Sequence, residues 1–413
     1  MPETNEQAKT AAEVLADLLQ HDREAHIRRL FEDDNEGKRA NLETAKRYRE
    51  AKDMELLDVS EKKLARIRKC ANLVKYAVNG ERDKKALLYT ETCKDKFCLI
   101  CARNKARRDT RELLDVAKAM ARLNNVDTVF ITLTIVSGHD LGRKIDELNN
   151  AYDRLMRREM FTDVSKGAIT KLEVTYNEEH GYHPHLHVLM FVGKNYYKKR
   201  KGFIEREDLL TAWREVTGDP RITQVDIRRT RANRRKGIAD SNEAAALEVG
   251  KYVAKASEYN ATGEVFAGFV KGLHGRKVLR YSSTAEMFRN AHRVDRYGIF
   301  DMLWGDNRSS LNAEDYTDKA LLDWNKSAYQ LEFHELTAQE RELLAKRFKL
   351  RDPSKLEDDM RATERKIAYL LNEFGRLTDK TKRRRNSNKR SKLKAKLRGL
   401  ETLRWVRDRI AEL

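Results

Sequence analysis

The sequence has no run of 18 or more apolar residues, so no segment is long enough for a membrane-spanning helix. Its first residues, Met1-Pro2-Glu3-Thr4-Asn5-Glu6, lack the basic and apolar regions of a secretion signal. Only four of the 413 residues are cysteine. Without a secretion signal, such cysteines favour a metal site or free thiols over disulfides. We therefore expect a cytoplasmic protein without a membrane partner.

Acidic residues are also in deficit. The chain has 85 lysines and arginines against 66 aspartates and glutamates, a formal net charge of +19 at pH 7. An excess of this size predicts a polyanionic partner such as nucleic acid.

Three histidines fall within five residues in the segment from Gly181 to Val192, which ends in an apolar, strand-like run. His185 and His187 are two residues apart, so in a β-strand both project from the same face. Both imidazoles can therefore bind one divalent ion. A polar strand edge with incidental histidines gives the same pattern.

A third ligand is expected from the preceding strand. If the hairpin loop is odd in length and centred on His180, Glu173 lies opposite His187 on the same face. His183 competes for this role because it shares the alternation. Pro184 argues against a regular ladder at that point and favours Glu173.

The cysteines form the second constellation. Cys98 and Cys101 have the spacing of a zinc knuckle, and Cys93 and Cys70 supply the remaining two thiolates of a tetrahedral site. Buried or unpaired cysteines are the alternative, because the spacing is less regular than in paired knuckles.

The middle of the chain alternates between strand and helix patterns. The predicted order is strand 128–136, helix 141–160, strand 168–176, strand 182–192, helix 205–216 and strand 222–227. This order is the split βαβ arrangement, a ferredoxin-like antiparallel sheet with helices, which 276–281 extends by a strand. The fold class is therefore α+β.

Two features follow the last of these strands. One is a basic loop that either binds the DNA backbone or is merely solvated. It consists of Arg228, Arg229, Arg231, Arg234, Arg235 and Lys236. The other is a helix over 243–259, in which Glu248, Tyr252 and Lys255 share one face. Tyrosine at helical spacing is more often a core residue. An acid one turn before it and a base one turn after it favour a chemical role.

The two ends of the chain read as helical. From Leu356 to Leu377 apolar residues follow a heptad seam, and residues 380–396 are strongly basic. A helical hairpin, packed internally or on a second copy, accounts for both. The predicted regions are a helical N-terminal region at 1–69, a cysteine-rich zinc module at 70–125, an α+β domain at 126–305 and a helical, basic C-terminal region at 306–413.

With these residues in view, the sequence resembles the rolling-circle plasmid replication initiators of the HUH endonuclease superfamily. Three motifs agree in order: Phe130 to Thr134, His183 to Leu189, and Glu248 to Lys255. The third motif, with one tyrosine and one glutamate, resembles the Tyr-plus-Glu branch.

The resemblance implies the HUH endonuclease fold and a reaction. Such enzymes nick one strand of a plasmid origin, form a 5′-phosphotyrosine and leave a 3′-hydroxyl. Carried over by position, Tyr252 is the nucleophile, Glu248 activates water at termination, and His185 and His187 bind Mn²⁺ or Mg²⁺. Glu173, the expected third ligand, lies outside these short motifs. Lys255 favours the phenolate form of the tyrosine.

Candidate partners are origin DNA, as a single strand or hairpin nick site, a host helicase and a second copy of the chain. An HUH transposase or relaxase is the close alternative, although relaxases usually place the nucleophile near the N-terminus. A non-catalytic, zinc-containing DNA-binding regulator explains the charge and the cysteines. It leaves His185, His187 and Tyr252 without a common role.

Overall fold

A computed structural model describes residues 11–198, 203–230, 263–304 and 312–412. The chain divides into two compact units, the first formed by Met1–Ala102 and Ser310–Lys349 and the second by Arg103–Ser309 and Leu350–Leu413. In chain order the elements are α1 (Ala11–Asp53), α2 (Glu61–Lys69), β1 (Leu73–Val78), β2 (Lys85–Thr90), α3 (Leu99–Leu123), β3 (Val126–Thr134), α4 (Leu141–Leu155), α5 (Glu159–Thr162), β4 (Ser165–Asn177), β5 (Gly181–Gly193), α6 (Arg206–Thr217), β6 (Asp226–Arg229), α7 (Gly263–Leu273), β7 (Leu279–Tyr281), α8 (Ser283–Val294), α9 (Ile299–Met302), β8 (Asp318–Asn325), β9 (Ala328–Glu335), α10 (Ala338–Phe348), α11 (Leu356–Arg376) and α12 (Lys380–Ala411).

The first unit contains a four-stranded antiparallel sheet in the order β2-β1-β8-β9. Two small cores stabilise it. They contain Phe31, Ala71, Val74, Val78, Ala320 and Leu322 in one cluster, and Ala77, Tyr316, Leu336 and Leu344 in the other.

The prediction of helix throughout the chain after residue 306 is wrong for residues 318–335, which form the β8–β9 hairpin. Ala320 and Leu322 are buried two residues apart, the period of a strand rather than of a helix. Lys326 has a positive φ of 56° between the two strands, which allows the tight connection. The alternating pattern of β8 is short, and β1, the strand with which β8 pairs, lies about 250 residues earlier in the chain.

The second unit contains a five-stranded antiparallel sheet in the order β6-β3-β5-β4-β7. The predicted strand–helix–strand–strand–helix–strand order is present, with boundaries that move by a few residues. A mixed α+β fold with antiparallel sheets and helical ends is therefore confirmed.

One face of this sheet is apolar along half of each strand. Phe130, Ile169, Leu189 and Phe191 belong to a core cluster with residues of α3, α8, α11 and α12. By strand alternation, the other half of the same face carries the histidines of β5. The core thus fixes the sheet directly beside the candidate site.

The heptad seam is buried as predicted. Leu356, Met360, Thr363 and Ile367 of α11 are at most 9% exposed, and α11 packs along α12. Asn386 of α12 donates through its amide to the Leu370 carbonyl at 3.0 Å. None of the described helices is long and apolar enough to cross a membrane.

Candidate functional site

Eight polar side chains lie together on one face of the second unit's sheet, contributed by its three middle strands. This histidine face consists of Thr132, Thr134, Lys171, Glu173, Thr175, His183, His185 and His187. Paired residues of antiparallel strands project from the same face, so the ladder itself brings these groups together.

The strand register differs from the expected one by two residues. Glu173 pairs with His185, and Lys171 pairs with His187. Because the side-chain period is two, this shift leaves Glu173 on the predicted face. Its carboxylate reaches the diagonal neighbour, and the distance from His187 Nε2 to Glu173 Oε2 is 2.6 Å. Both side chains are nearly buried, at 8% and 9% exposure.

The turn between β4 and β5 explains the shift. The ladder closes at Asn177 and Gly181, so the loop is centred on Glu179 rather than His180. The Asn177 side chain accepts hydrogen bonds from the backbone N–H of Glu179 at 2.8 Å and of His180 at 3.3 Å. Gly181 has a φ of 80°, which a residue with a side chain rarely adopts.

His183 lies within the ladder, paired with Thr175, and Pro184 pairs with Val174. The expectation that Pro184 interrupts the β4–β5 ladder is therefore wrong. The β3–β5 ladder ends at His185 and does not include Pro184. Pro184 lacks a backbone N–H, and on this side of β5 no ladder hydrogen bond is lost. His183 Nε2 lies 2.5 Å from Thr134 Oγ1, and burial lowers the pKa of this imidazole.

Threonines orient the other two imidazoles, a role that sequence reasoning missed. Thr132 Oγ1 lies 3.3 Å from His187 Nδ1, and Thr175 Oγ1 lies 3.3 Å from His185 Nε2. The His187 ring also stacks on Phe130, with 5.7 Å between ring centroids. Alternation within the two neighbouring strands was the signal that could have identified these threonines.

Lys171 is the second group that the sequence did not single out. The residue is fully buried, and its ammonium has no hydrogen-bond partner among the described residues. Burial lowers the pKa of Lys171 to about 7, although the nearby Glu173 and Asp109 carboxylates oppose this shift. A buried amine with no hydrogen-bond partner among the described residues therefore lies beside the Glu173–His187 pair.

Beside His183 an open groove of about 750 Å³ extends along the end of the sheet. Its lining includes Thr134, His139, His180, His183 and Arg221. The lining also includes the Glu179 carboxylate, and the Arg221 guanidinium donates to the Asp219 carboxylate at 2.9 and 2.8 Å.

Of the predicted basic loop, Arg228 and Arg229 lie in strand β6 rather than in a loop, and both are exposed. The Arg228 guanidinium lies over the Phe130 ring at 4.8 Å, and Arg229 lies over Tyr197 at 4.5 Å. The remaining predicted residues lie outside the described part of the chain. They are Arg231, Arg234, Arg235, Lys236, Glu248, Tyr252 and Lys255.

The first unit holds the four cysteines in one cluster, whose sulfur atoms all lie within 4.8 Å of one another. The Sγ–Sγ distances are 3.7 Å for Cys70–Cys101, 3.6 Å for Cys93–Cys101 and 3.6 Å for Cys98–Cys70. A tetrahedral ion with Zn–S bonds of about 2.3 Å separates its sulfurs by roughly 3.8 Å. The cluster can therefore hold a metal ion such as zinc, and these distances exclude disulfides.

A buried lysine lies beside this cluster. The Lys38 ammonium of α1 donates to the Arg68 carbonyl at 2.7 Å, to the Cys70 carbonyl at 2.7 Å and to Asn72 Oδ1 at 2.6 Å. It fixes the chain around Cys70, and its positive charge would offset part of the negative charge of the cysteines when they bind a metal ion as thiolates. No local pattern in the sequence predicts this contact.

Curated relatives share much of the chain. A "Protein rep" of Staphylococcus aureus is 31% identical over 204 residues, 49% of this chain and 86% of its own length. A "Protein rep" of Lactiplantibacillus plantarum is 25% identical over 320 residues, 73% of this chain and 98% of its own length. A third, from Streptococcus pneumoniae, is 26% identical over 249 residues, 58% of this chain and 75% of its own length.

No solved structure matches the chain. The profile of one protein family, described as "Replication protein", matches residues 84–330, which include the histidine face and three of the four cysteines. This match covers more than half of the sequence. The chain therefore belongs to the Rep_1 family of replication proteins.

Proposed function

We propose that the chain is a rolling-circle replication initiator that nicks and rejoins one DNA strand at a plasmid origin. The observation that carries the proposal is the pairing of Glu173 with His187, with His185 on the same sheet face. Membership in a replication protein family makes the replicon's own DNA the expected substrate.

The strand order supports the HUH endonuclease fold. Numbered one to four along the chain, the motif strands β3, β4, β5 and β6 lie side by side in the order four, one, three, two, which is β6-β3-β5-β4. This is a ferredoxin-like antiparallel sheet, and the histidine strand is central in it. A central strand is held on both edges, which is what a precise ligand set needs.

The donor set of the histidine face fits a divalent cation. Two imidazoles and one carboxylate are borderline-to-hard ligands that suit Mn²⁺ well and also accept Mg²⁺. His185, His187 and Glu173 would hold the ion, and His183 is the alternative third ligand. When bound, such an ion would polarise the scissile phosphate and neutralise its developing charge.

Tyr252 is proposed as the nucleophile. Its phenolate oxygen attacks the scissile phosphorus, a bond forms between the two, and the bond from phosphorus to the 3′-oxygen breaks. The 5′-phosphate stays on the tyrosine, and the released 3′-hydroxyl primes synthesis. Lys255, three residues later in the predicted helix, is proposed to favour the phenolate, because tyrosine ordinarily ionises near pH 10.

Glu248 is proposed as the general base that activates water, so that the second cleavage does not leave a tyrosine adduct. Arg228, Arg229 and the basic residues that follow them are proposed to grip the DNA backbone. The groove beside His183 offers a path for a single strand, because imidazoles and Arg221 line it.

The test uses the full chain, Mn²⁺ and single-stranded oligonucleotides that tile the origin of the replicon encoding it. We expect a covalent protein–DNA adduct on denaturing gels, absent in Tyr252→Phe and present in the matched variant Tyr176→Phe. His187→Ala should reduce adduct formation at least 100-fold while DNA binding persists.

Glu248→Ala should still form the adduct, since Tyr252 makes the first cleavage, but should fail to release it in the terminating step. Tight binding without any adduct in the wild-type chain would contradict the proposal and favour the non-catalytic DNA-binding regulator.

A further inference from the structure

The C-terminal helix α12 carries a dense, uncompensated positive charge. Of the nineteen residues from Lys380 to Arg398, eleven are lysine or arginine and none is acidic. Ten of these basic residues are exposed, and Arg390 is half-buried. None of the eleven forms a salt bridge with another described residue, whereas Arg361 on neighbouring α11 pairs with Asp358 at 2.9 Å.

The helix is anchored so that this charge faces outward. Asn386 is buried and donates to the Leu370 carbonyl and to Glu373 Oε2, both at 3.0 Å. Further along, Gly399 packs against the backbone of Asn290 on α8, where an added Cβ would lie 2.8 Å from the Asn290 carbonyl oxygen. One side of α12 is therefore packed against α8 and α11 of the same unit, and its basic side remains in solvent.

We infer that this face of α12 is a binding surface for the backbone of duplex DNA. A helix of nineteen residues is about 28 Å long, and duplex DNA carries one negative charge per about 1.7 Å of its axis. The basic face can thus lie along roughly eight base pairs. Between the basic side chains, Ser391 and Ala395 are short and exposed, so the helix can approach a phosphate chain closely.

The composition of the helix favours a duplex over a single strand. Proteins that bind single strands combine basic residues with aromatic side chains on which bases stack. No aromatic residue occurs between Lys380 and Arg398. Phe374 of α11 is covered by the guanidinium groups of Arg383 at 4.9 Å and Arg390 at 4.4 Å. The surface offers phosphate contacts without base readout.

The inference rests on the proposed function only in taking DNA as the partner. When the chain nicks an origin, α12 binds the double-stranded DNA beside the nick site, and the histidine face and its groove bind the single strand. Contacts of this kind position a protein on the duplex and carry no sequence information.

The test compares two triple variants of the full chain. Arg384→Gln, Lys392→Gln and Arg398→Gln change exposed residues of α12. Arg361→Gln, Arg365→Gln and Lys366→Gln change three exposed residues of α11 and remove the same charge. Circular dichroism checks that both variants keep the helical content of the wild type.

Fluorescence anisotropy measures the affinity for a 20-base-pair duplex and for a single strand of the same sequence. If all three α12 residues contact phosphates, the variant loses about 2.7 from the slope of log K against log salt. Between 50 and 200 mM salt the wild type should then lose about 40-fold more duplex affinity than the variant. The α11 variant should keep the wild-type slope.

An α12 variant with the wild-type slope would overturn the inference, and so would an equal loss of affinity for the duplex and the single strand. The second outcome would mean that the helix attracts any polyanion. Adduct formation by the wild-type chain is measured in parallel with the origin oligonucleotide. Its absence would contradict the proposed function while the duplex comparison would still decide the role of α12.

Discussion

At the scale of single residues, each imidazole of the histidine face is held by a neighbour on an adjacent strand. Thr134 contacts His183, Thr175 contacts His185, and Thr132 contacts His187 from the side opposite Glu173. Such contacts limit the rotation of each ring, as a metal ligand requires. The three threonines are therefore positioning residues for the proposed site.

Lys171→Met should stabilise the protein. The change removes a buried cation that has no hydrogen-bond partner among the described residues and fills the same space with an apolar chain. Because burial lowers the pKa of Lys171 to about 7, protonating it costs more in the folded than in the unfolded chain. We expect the free energy of unfolding at pH 7 to rise by about 1–4 kcal/mol, measured by urea denaturation.

The sign of the pH dependence gives a second readout. With a folded-state pKa near 7 and an ordinary value of 10.5, the contribution of Lys171 to stability increases as pH rises from 7 to 10.5 and is constant below 7. This increase should disappear in Lys171→Met. Lys166→Met, at an exposed position of the same strand, should change stability by less than about 0.5 kcal/mol. If Lys171→Met destabilised the protein and Lys166→Met did not, the Lys171 ammonium would have a partner.

At the scale of elements, the β4–β5 hairpin shows what a sequence pattern does and does not determine. Period-two alternation predicted correctly that Glu173 and the histidines share a face. It did not predict the register, because Gly181 joins the ladder with a positive φ and moves the loop centre by one residue. Only a contact between the turn and its own backbone, made here by Asn177, distinguishes the two registers.

Gly268→Ala should disrupt the packing of α7 on the histidine strand. A Cβ at Gly268 would lie 1.8 Å from Tyr182 Oη. That hydroxyl donates to the Val265 carbonyl at 2.9 Å, and the ring packs edge-on against Phe269. Because Tyr182 is nearly buried and precedes His183 directly, it cannot move away freely. We expect a loss of about 1–3 kcal/mol in the free energy of unfolding, measured by denaturant titration.

Gly375→Ala in α11 is the matched control, because nothing lies within 4 Å of the Cβ that it adds. A helical alanine in open space should stabilise the protein by roughly 0.5–1 kcal/mol. If both variants had the same effect, the close approach of Gly268 to Tyr182 would not exist in solution.

At the scale of the whole molecule, local patterns predicted the second unit well and the first unit incompletely. The strands and helices from Val126 to Arg229 each carry their own periodicity, so their order was readable from the sequence. The pairing of β8 with β1 and the contact of Lys38 with the Cys70 carbonyl join segments far apart in the chain. Local spacing carries no information about such pairings, because only the folded chain brings the partners together.

The four-cysteine cluster predicts that the two units respond differently to metal removal. They join the end of α2, the loop after β2 and the start of α3, all within the first unit. Metal binding in such a cluster contributes directly to folding. We expect the purified chain to hold one zinc ion, and chelation to expose the first unit to limited proteolysis before the second. Cleavage should then fall within residues 11–102 and 312–349, mapped by mass spectrometry.

Zinc added back should restore protection, and Mn²⁺ should not, because four thiolates select the softer ion. Cys98→Ser should show the cleavage pattern of the chelated protein without any chelator, since the loss of one thiolate breaks the tetrahedral set. Residues 103–198 should stay protected in every case, because their core cluster contains no cysteine. A zinc-free chain with an unchanged cleavage map would mean that the cysteines are buried thiols, and that the sulfur distances reflect packing alone.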